Sequence, residues 1–250
     1  MFCFLVFIFP FTSVSSFTRE EVSALQEKSK DLPVGERIAF FAGSFLGTPY
    51  DPDPLGEYVS KRVIVSDERV DCMYHVFRST ELALSKTPED AETIALDLRF
   101  LTKGRLGPGG KVQNYHERFE YGEDMIRSGK WGKDITPLLG ETRPLAGARG
   151  IPSVNVLPKK SIEAAFPGFK SGDIIFFIKD PEKRTVGEIV GHMGIIERLK
   201  RLERLGREGE ELFLIHAGGS KKKGGAVKKV PLGDYINDMA FIGIMATRFE

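Results

Sequence analysis

The chain predicts an α+β fold, with helices first and an antiparallel sheet second. Two observations carry this expectation. Up to about residue 130, apolar residues recur at helical spacing between loops rich in glycine and proline. After Lys170 they gather in short runs rich in isoleucine and phenylalanine, bounded by glycines and charges. No linker separates the halves, so residues 17–250 are read as one domain whose N-terminal helices pack on one face of the sheet.

The elements follow in order. Met1 to Phe11 is a nearly unbroken apolar run, too short to span a bilayer as a helix. With the small-residue pattern Val14-Ser15-Ser16 behind it, residues 1–16 are expected to be a secretory signal, the alternative being an uncleaved anchor or a buried strand. Export to the periplasm or beyond follows from that reading, as does a mature protein without membrane insertion.

Ser23 to Lys30 reads as a polar helix stopped by Pro33, and Gly35 to Leu46 as an apolar-faced one. The stretch from Gly47 to Gly56 is a loop, because its prolines cannot continue a helix. Asp71 is an N-cap for a helix reaching Ser85, with Met73, Val76, Phe77, Thr80, Ala83 and Leu84 as its inward stripe. Further helices are expected over Asp90 to Leu101 and Arg118 to Ser128, and Leu138 to Lys159 reads as irregular. Strands are expected over Ile174 to Ile178, Ile189 to Glu197, Leu212 to Ala217 and Phe241 to Phe249. The charged stretch Leu199 to Glu211 reads as a solvated helical excursion.

Composition removes whole classes of function. With 250 residues, 41% hydrophobic, the chain can bury a core and is not disordered. Thirty-six Lys+Arg against 35 Asp+Glu give a net charge of +1, which argues against a dedicated nucleic-acid binder. Lys103 to Lys111 invites a phosphate-loop reading, but Arg105 and Val112 break the pattern and a glycine turn suffices. Asp71, Asp124, Asp173 and the four histidines show no metal spacing, so neither metal nor cofactor is expected. The lysine run Lys221 to Lys229 is read as a solvated loop that could attract an anionic polymer.

The chemistry centres on cysteine. Cys3 lies in the expected signal, so Cys72 would be the single thiol of the mature chain. A buried, inert cysteine is the default. Cys72, however, follows the N-cap Asp71, where unpaired N–H groups and the positive end of the helix dipole favour a thiolate and could hold an oxyanion. A base is needed. His192 (in GHMGII) and His216 (in FLIHAGG) stand at strand edges, and pairing of those strands would turn both imidazoles towards the cysteine helix. His75 is a rival on the same helix, one turn on and pointing outward, while His116 reads as a surface residue.

Taken in order, LGTPY (Leu46 to Tyr50), VDC (Val70 to Cys72), GDIIFF (Gly172 to Phe177), GHMGII (Gly191 to Ile196) and FLIHAGG (Phe213 to Gly219) resemble the NlpC-type papain-like cysteine peptidases. NYHERFEYGEDMI (Asn114 to Ile126) followed by DIT (Asp134 to Thr136) resembles the insert of the N-acetylmuramoyl-L-alanine amidase-like branch. The resemblance spans residues 38 to 249 and implies a papain-like fold in residues 17–250. It implies a peptidoglycan amide substrate, cleaved at the muramoyl–L-alanine bond or within the stem peptide. Cys72 would be the nucleophile, His192 the general base and His216 the residue orienting it, a Cys-His-His triad. Tyr50 would line the cleft, Arg118 and Tyr121 would belong to the cleft or its scaffold, and Met73 would stand beside the nucleophile. The chain departs from the family at Met73, Tyr74 and His75, where small or hydroxyl residues follow the cysteine, and at Asp51 to Pro54, which replace a glycine pair. Two other readings keep the fold: an acyltransferase or deamidase acting on protein or lipid, and an inactive binding module.

Overall fold

A computed structural model describes residues 17–202, 208–220 and 222–250. The expected signal over residues 1–16, the centre of the 199–211 stretch and Lys221 lie outside the described residues. The architecture is α+β, with helices and an antiparallel sheet.

Helix α1 (Arg19–Ser29) begins at a reciprocal cap, with Thr18 Oγ1 accepting from the Glu21 N–H and the Thr18 N–H donating to the Glu21 carboxylate. Helix α2 (Val34–Ser44) follows Pro33, and the single turn α3 (Glu57–Ser60) follows the proline loop. Helix α4 (Cys72–Leu84) starts at Asp71, as the sequence predicts. Its amphipathic reading falls short, because every residue from Tyr74 to Ala83 is buried. The helix runs through the centre of the helical layer, enclosed by α2, α5 (Pro88–Leu98) and the sheet. The helix expected from Arg118 shortens to α6 (Gly122–Ser128), since Arg118 instead forms a β-bridge with Phe100.

Among the described residues the sheet has eight strands, paired antiparallel throughout: β1 (Lys133–Asp134), β2 (Arg143–Ala146), β3 (Ser153–Pro158), β4 (Ile174–Ile178), β5 (Val190–Leu202), β6 (Glu208–Ser220), β7 (Gly224–Pro231) and β8 (Gly243–Arg248). Their order is β2-β3-β8-β4-β5-β6-β7, with β1 attached to β8. The stretch read as irregular therefore holds β2 and β3, and the lysine run holds β7. Lysines on an edge strand keep it from pairing further, which is how a charged run comes to be a strand. Leu199–Leu202 and Glu208–Glu211 are strand rather than helix, with Lys200 opposite Glu210 and an Arg198–Glu210 ion pair across the ribbon. Cross-strand pairing of opposite charges accounts for that charge pattern without a helix.

One core lies on each face of the sheet. Ile174, Phe176 and Ile178 of β4 join the core shared with α2 and α4, while Ile175 and Phe177 join a second core. That second core is capped by α7 (Thr136–Leu139) and α8 (Leu232–Asp238), so the helices cover both faces and not one. Two-sided burial explains why β4 reads as a continuous apolar run instead of an alternation. Among the described residues no helix is long and apolar enough to cross a membrane.

Candidate active site

Three segments meet at the start of α4. The Asp71 carboxylate accepts the Tyr74 N–H at 2.6 Å and fixes the first turn. The loop before it is stitched down by hydrogen bonds from the Val70 N–H to the Pro49 carbonyl and from the Asp51 N–H to the Val70 carbonyl, each 3.0 Å. The Tyr50 N–H reaches the Gly225 carbonyl at 2.9 Å, tying the same loop to β7. The loop leading into the cysteine is thus tied to β7, at the edge of the sheet.

The β5–β6 ladder runs from Leu202↔Glu208 to Ile195↔Ile215, and His192 and His216 lie just beyond its end. Both project towards the second core, where Phe177 stacks on His192 with ring centroids 6.0 Å apart. His192 Nε2 and His216 Nδ1 are 2.9 Å apart. Two glycines of the motifs make this possible. A Cβ on Gly194 would stand 2.8 Å from the Ile215 carbonyl oxygen, and one on Gly218 would stand 2.9 Å from His216 Cε1. Neither strand could approach, nor the His216 ring lie down, with a side chain at those positions.

Cys72 and His192 line one cavity of about 330 Å³, together with Met73, Arg118 and Tyr121. His216 stands behind His192 and does not line that cavity, nor does Tyr50. The Tyr50 phenol is pushed up to about 12, by burial first and then by Cys72, Asp71 and Asp51. The structure therefore brings Cys72, Met73, His192, Arg118 and Tyr121 to one opening and sets His216 and Tyr50 around it. His75 corrects the sequence reading: it points inward, fully buried, with Nε2 3.2 Å from the Ala42 carbonyl and its ring edge-on to Phe45. It does not line the cavity. His116 is exposed, as expected.

The electrostatics favour neutral groups. Burial pushes the Cys72 thiol up to about 12, with Asp71 adding to the rise, against the backbone N–H groups of Met193, Cys72 and Met73, which favour thiolate. Burial draws His192 down to about 3, helped by His216 and His75. It draws His216 down to about 4, helped by Lys228, which faces it across the β6–β7 ladder. Asp71 rises to about 6, chiefly through burial. At neutral pH the cluster holds a thiol and two uncharged imidazoles.

Sequence reasoning missed two supports. Tyr235 of α8 sets its ring edge-on to His216 at 4.8 Å and tilted to His192 at 5.9 Å, closing the histidine pair from the second core. No signal in the sequence ties so distant a tyrosine to the histidines. Glu123 is buried and accepts the N–H groups of Ile189 and Val190, both at 3.1 Å, anchoring the start of β5 just before His192. Its place beside Tyr121 in the branch-like insert was the available clue.

No family model and no curated protein matches the chain. Several solved structures do share its fold. An N-acetylmuramoyl-L-alanine amidase from Bacteroides uniformis ATCC 8492 is similar at TM-score 0.62 and 23% identity, covering 87% of this chain and 99% of that one. A DUF1460 protein from Legionella pneumophila is similar at TM-score 0.67 and 17% identity, covering 91% and 93%. A Bacteroides fragilis protein described as a candidate xylanase is similar at TM-score 0.58 and 23% identity, covering 84% and 99%. At these identities the likeness establishes a shared fold. The neighbours carry two hydrolase names, so the reaction must be argued from the site.

Proposed function

We propose that the protein is a cysteine-dependent amide hydrolase of the papain-like, NlpC-type kind, acting on peptidoglycan. The observation that carries this reading is the placement of Cys72 and His192 on one cavity, with His216 Nδ1 2.9 Å behind His192 Nε2. The amidase name of the Bacteroides uniformis structure supports the substrate class. In this reading the protein is exported and acts outside the cytoplasm.

In the mechanism, His192 keeps its Nε2 for His216 and has Nδ1 left for the thiol. Nδ1 takes the Sγ proton as the sulfur attacks the amide carbonyl carbon, so no free thiolate has to form in the resting enzyme. The imidazolium that results donates from Nε2 to His216 Nδ1, and the burial and Lys228 that hold His216 uncharged keep that nitrogen an acceptor. The N–H of Cys72 or Met73, at the open end of α4, receives the oxyanion. His192 passes its proton to the leaving amine. It then takes one from water as the hydroxide attacks the thioester, and returns it to the sulfur as the acid departs.

The test is digestion of purified muropeptides followed by mass analysis. Separation of sugar from peptide identifies muramoyl–L-alanine cleavage, and shortened stems identify an endopeptidase. Intact muropeptides at enzyme excess would remove peptidoglycan as the substrate.

A further inference from the structure

A second cavity, of about 560 Å³, adjoins the one holding Cys72, and the two share Arg118, Phe119 and Glu120. Three arginines, Arg118, Arg127 and Arg149, line it. Two of them are fixed in place. Arg118 donates to the Tyr115 carbonyl at 3.0 Å and pairs with Glu120 at 3.2 Å. Arg149 pairs with Glu123 and Asp124 and lies 3.9 Å from the centre of the Tyr121 ring. Its backbone sits at φ 51, a left-handed conformation that disfavours a side chain of this size. Tyr121 faces the first cavity and Arg149 the second, so their stack forms the wall between them.

The charges of this cavity do not cancel within it. Glu120 is matched by Arg118, and Asp124 by Arg149, which leaves Arg127 in the last turn of α6 with no ion pair or hydrogen bond to the described residues. A guanidinium offers a planar pair of donors suited to a carboxylate. We infer that the second cavity is a carboxylate subsite, in which Arg127, beside the fixed Arg118 and Arg149, receives an acidic group on the part of the substrate extending past the reacting amide. The inference rests on the amide-hydrolase reading above and adds to it that the substrate is an acidic peptide.

The experiment measures calorimetric binding of a soluble disaccharide–peptide and of the same compound with its carboxylates amidated. Both are titrated into the Cys72→Ala protein, with and without Arg127→Ala. Arg127 is exposed and carries no internal contact, so its removal leaves the fold in place. The acidic form is expected to bind about tenfold tighter than the amidated one, and Arg127→Ala to bring that ratio close to one. Arg127→Glu is expected to invert it. Equal binding of the two forms, no binding of either, or a ratio untouched by Arg127→Ala overturns the subsite. Hydrolysis by the unmutated protein is followed in parallel. Cleavage without acid preference removes the subsite alone, whereas acid preference without cleavage removes the hydrolase reading and keeps the subsite.

Discussion

The partly open N-terminal end of α4 and its fully buried body treat their ionisable groups in opposite ways. In the body of the helix, Glu81 takes two hydrogen bonds from Arg99, both 2.6 Å, while a third Arg99 nitrogen donates to the Ile64 carbonyl at 2.8 Å. Arg78 binds both oxygens of Asp67 at 3.1 Å, and Tyr74 adds its hydroxyl at 2.7 Å. The side chains of these pairs are at most 4% exposed, and each has its opposite partner in hydrogen-bonding contact. At the N-terminal end, Cys72, His192 and His216 have no counter-ion and rest uncharged. Permanent charges fix the helix where nothing must move. Neutral groups without a counter-ion stand where the proposed mechanism hands a proton on.

The sharpest break of this comparison is Cys72→Ala. Hydrolysis of muropeptides is expected to fall by at least about 10⁴-fold with the thermal midpoint nearly unchanged. A variant that still turns over would show that the neutral end is not the reacting end. Next comes Glu81→Ala at the other end, which strands the Arg99 charge in the core. It should cost about 3–5 kcal/mol of stability by denaturant unfolding. Turnover per folded molecule should persist at low temperature, and a stability loss below 1 kcal/mol would mean that the pair does not anchor the helix.

His216→Ala tests the neutral end more finely. If His216 orients His192, kcat should drop by at least about tenfold while KM moves less, and His216→Asn, which retains an acceptor, should recover part of the loss. Equal changes in kcat and KM would assign His216 to substrate binding instead.

The start of α4 was legible because it is written locally: Asp71, the capping oxygen, directly precedes the cysteine. The histidine strands were legible from their apolar runs and the glycines around them, of which Gly194 allows close backbone approach to Ile215 and Gly218 leaves room for the His216 ring. β2 and β7 were not, because their residues lack the apolar alternation of a half-buried strand. β3 does alternate, with Val154 and Val156 buried, but over a run too short to stand out between glycines and prolines. Arg143–Ala146 is largely exposed, and β7 carries lysines at the sheet edge. The inward turn of His75 was missed for a different reason. Helical spacing gives its angle relative to Cys72, but only the packing of α2 over α4 shows that this angle faces the interior.

That buried histidine gives the smallest and most discriminating test. His75 is held near 4, His192 near 3 and His216 near 4, burial being the main cause in each, against an ordinary value of 6.5. Below pH 6.5 the unfolded chain therefore takes up three protons that the native state refuses, and stability falls as pH drops towards 4. Asp71 opposes this. Held near 6 against 3.8, it lets the native state keep a proton that the unfolded chain releases between those values. Near pH 5 the balance is roughly two protons, a slope of about 2.7 kcal/mol per pH unit. His75→Gln keeps a donor for the Ala42 carbonyl and removes one titration, so the slope should fall to about half. Hydrolysis at pH 7 should stay within about twofold, since His75 does not line the cavity. The slope comes from urea unfolding between pH 4.5 and 6.5. An unchanged slope would show that His75 is not held neutral in the fold, and a loss of hydrolysis would return it to the role of base, on the same helix as the sulfur it would serve.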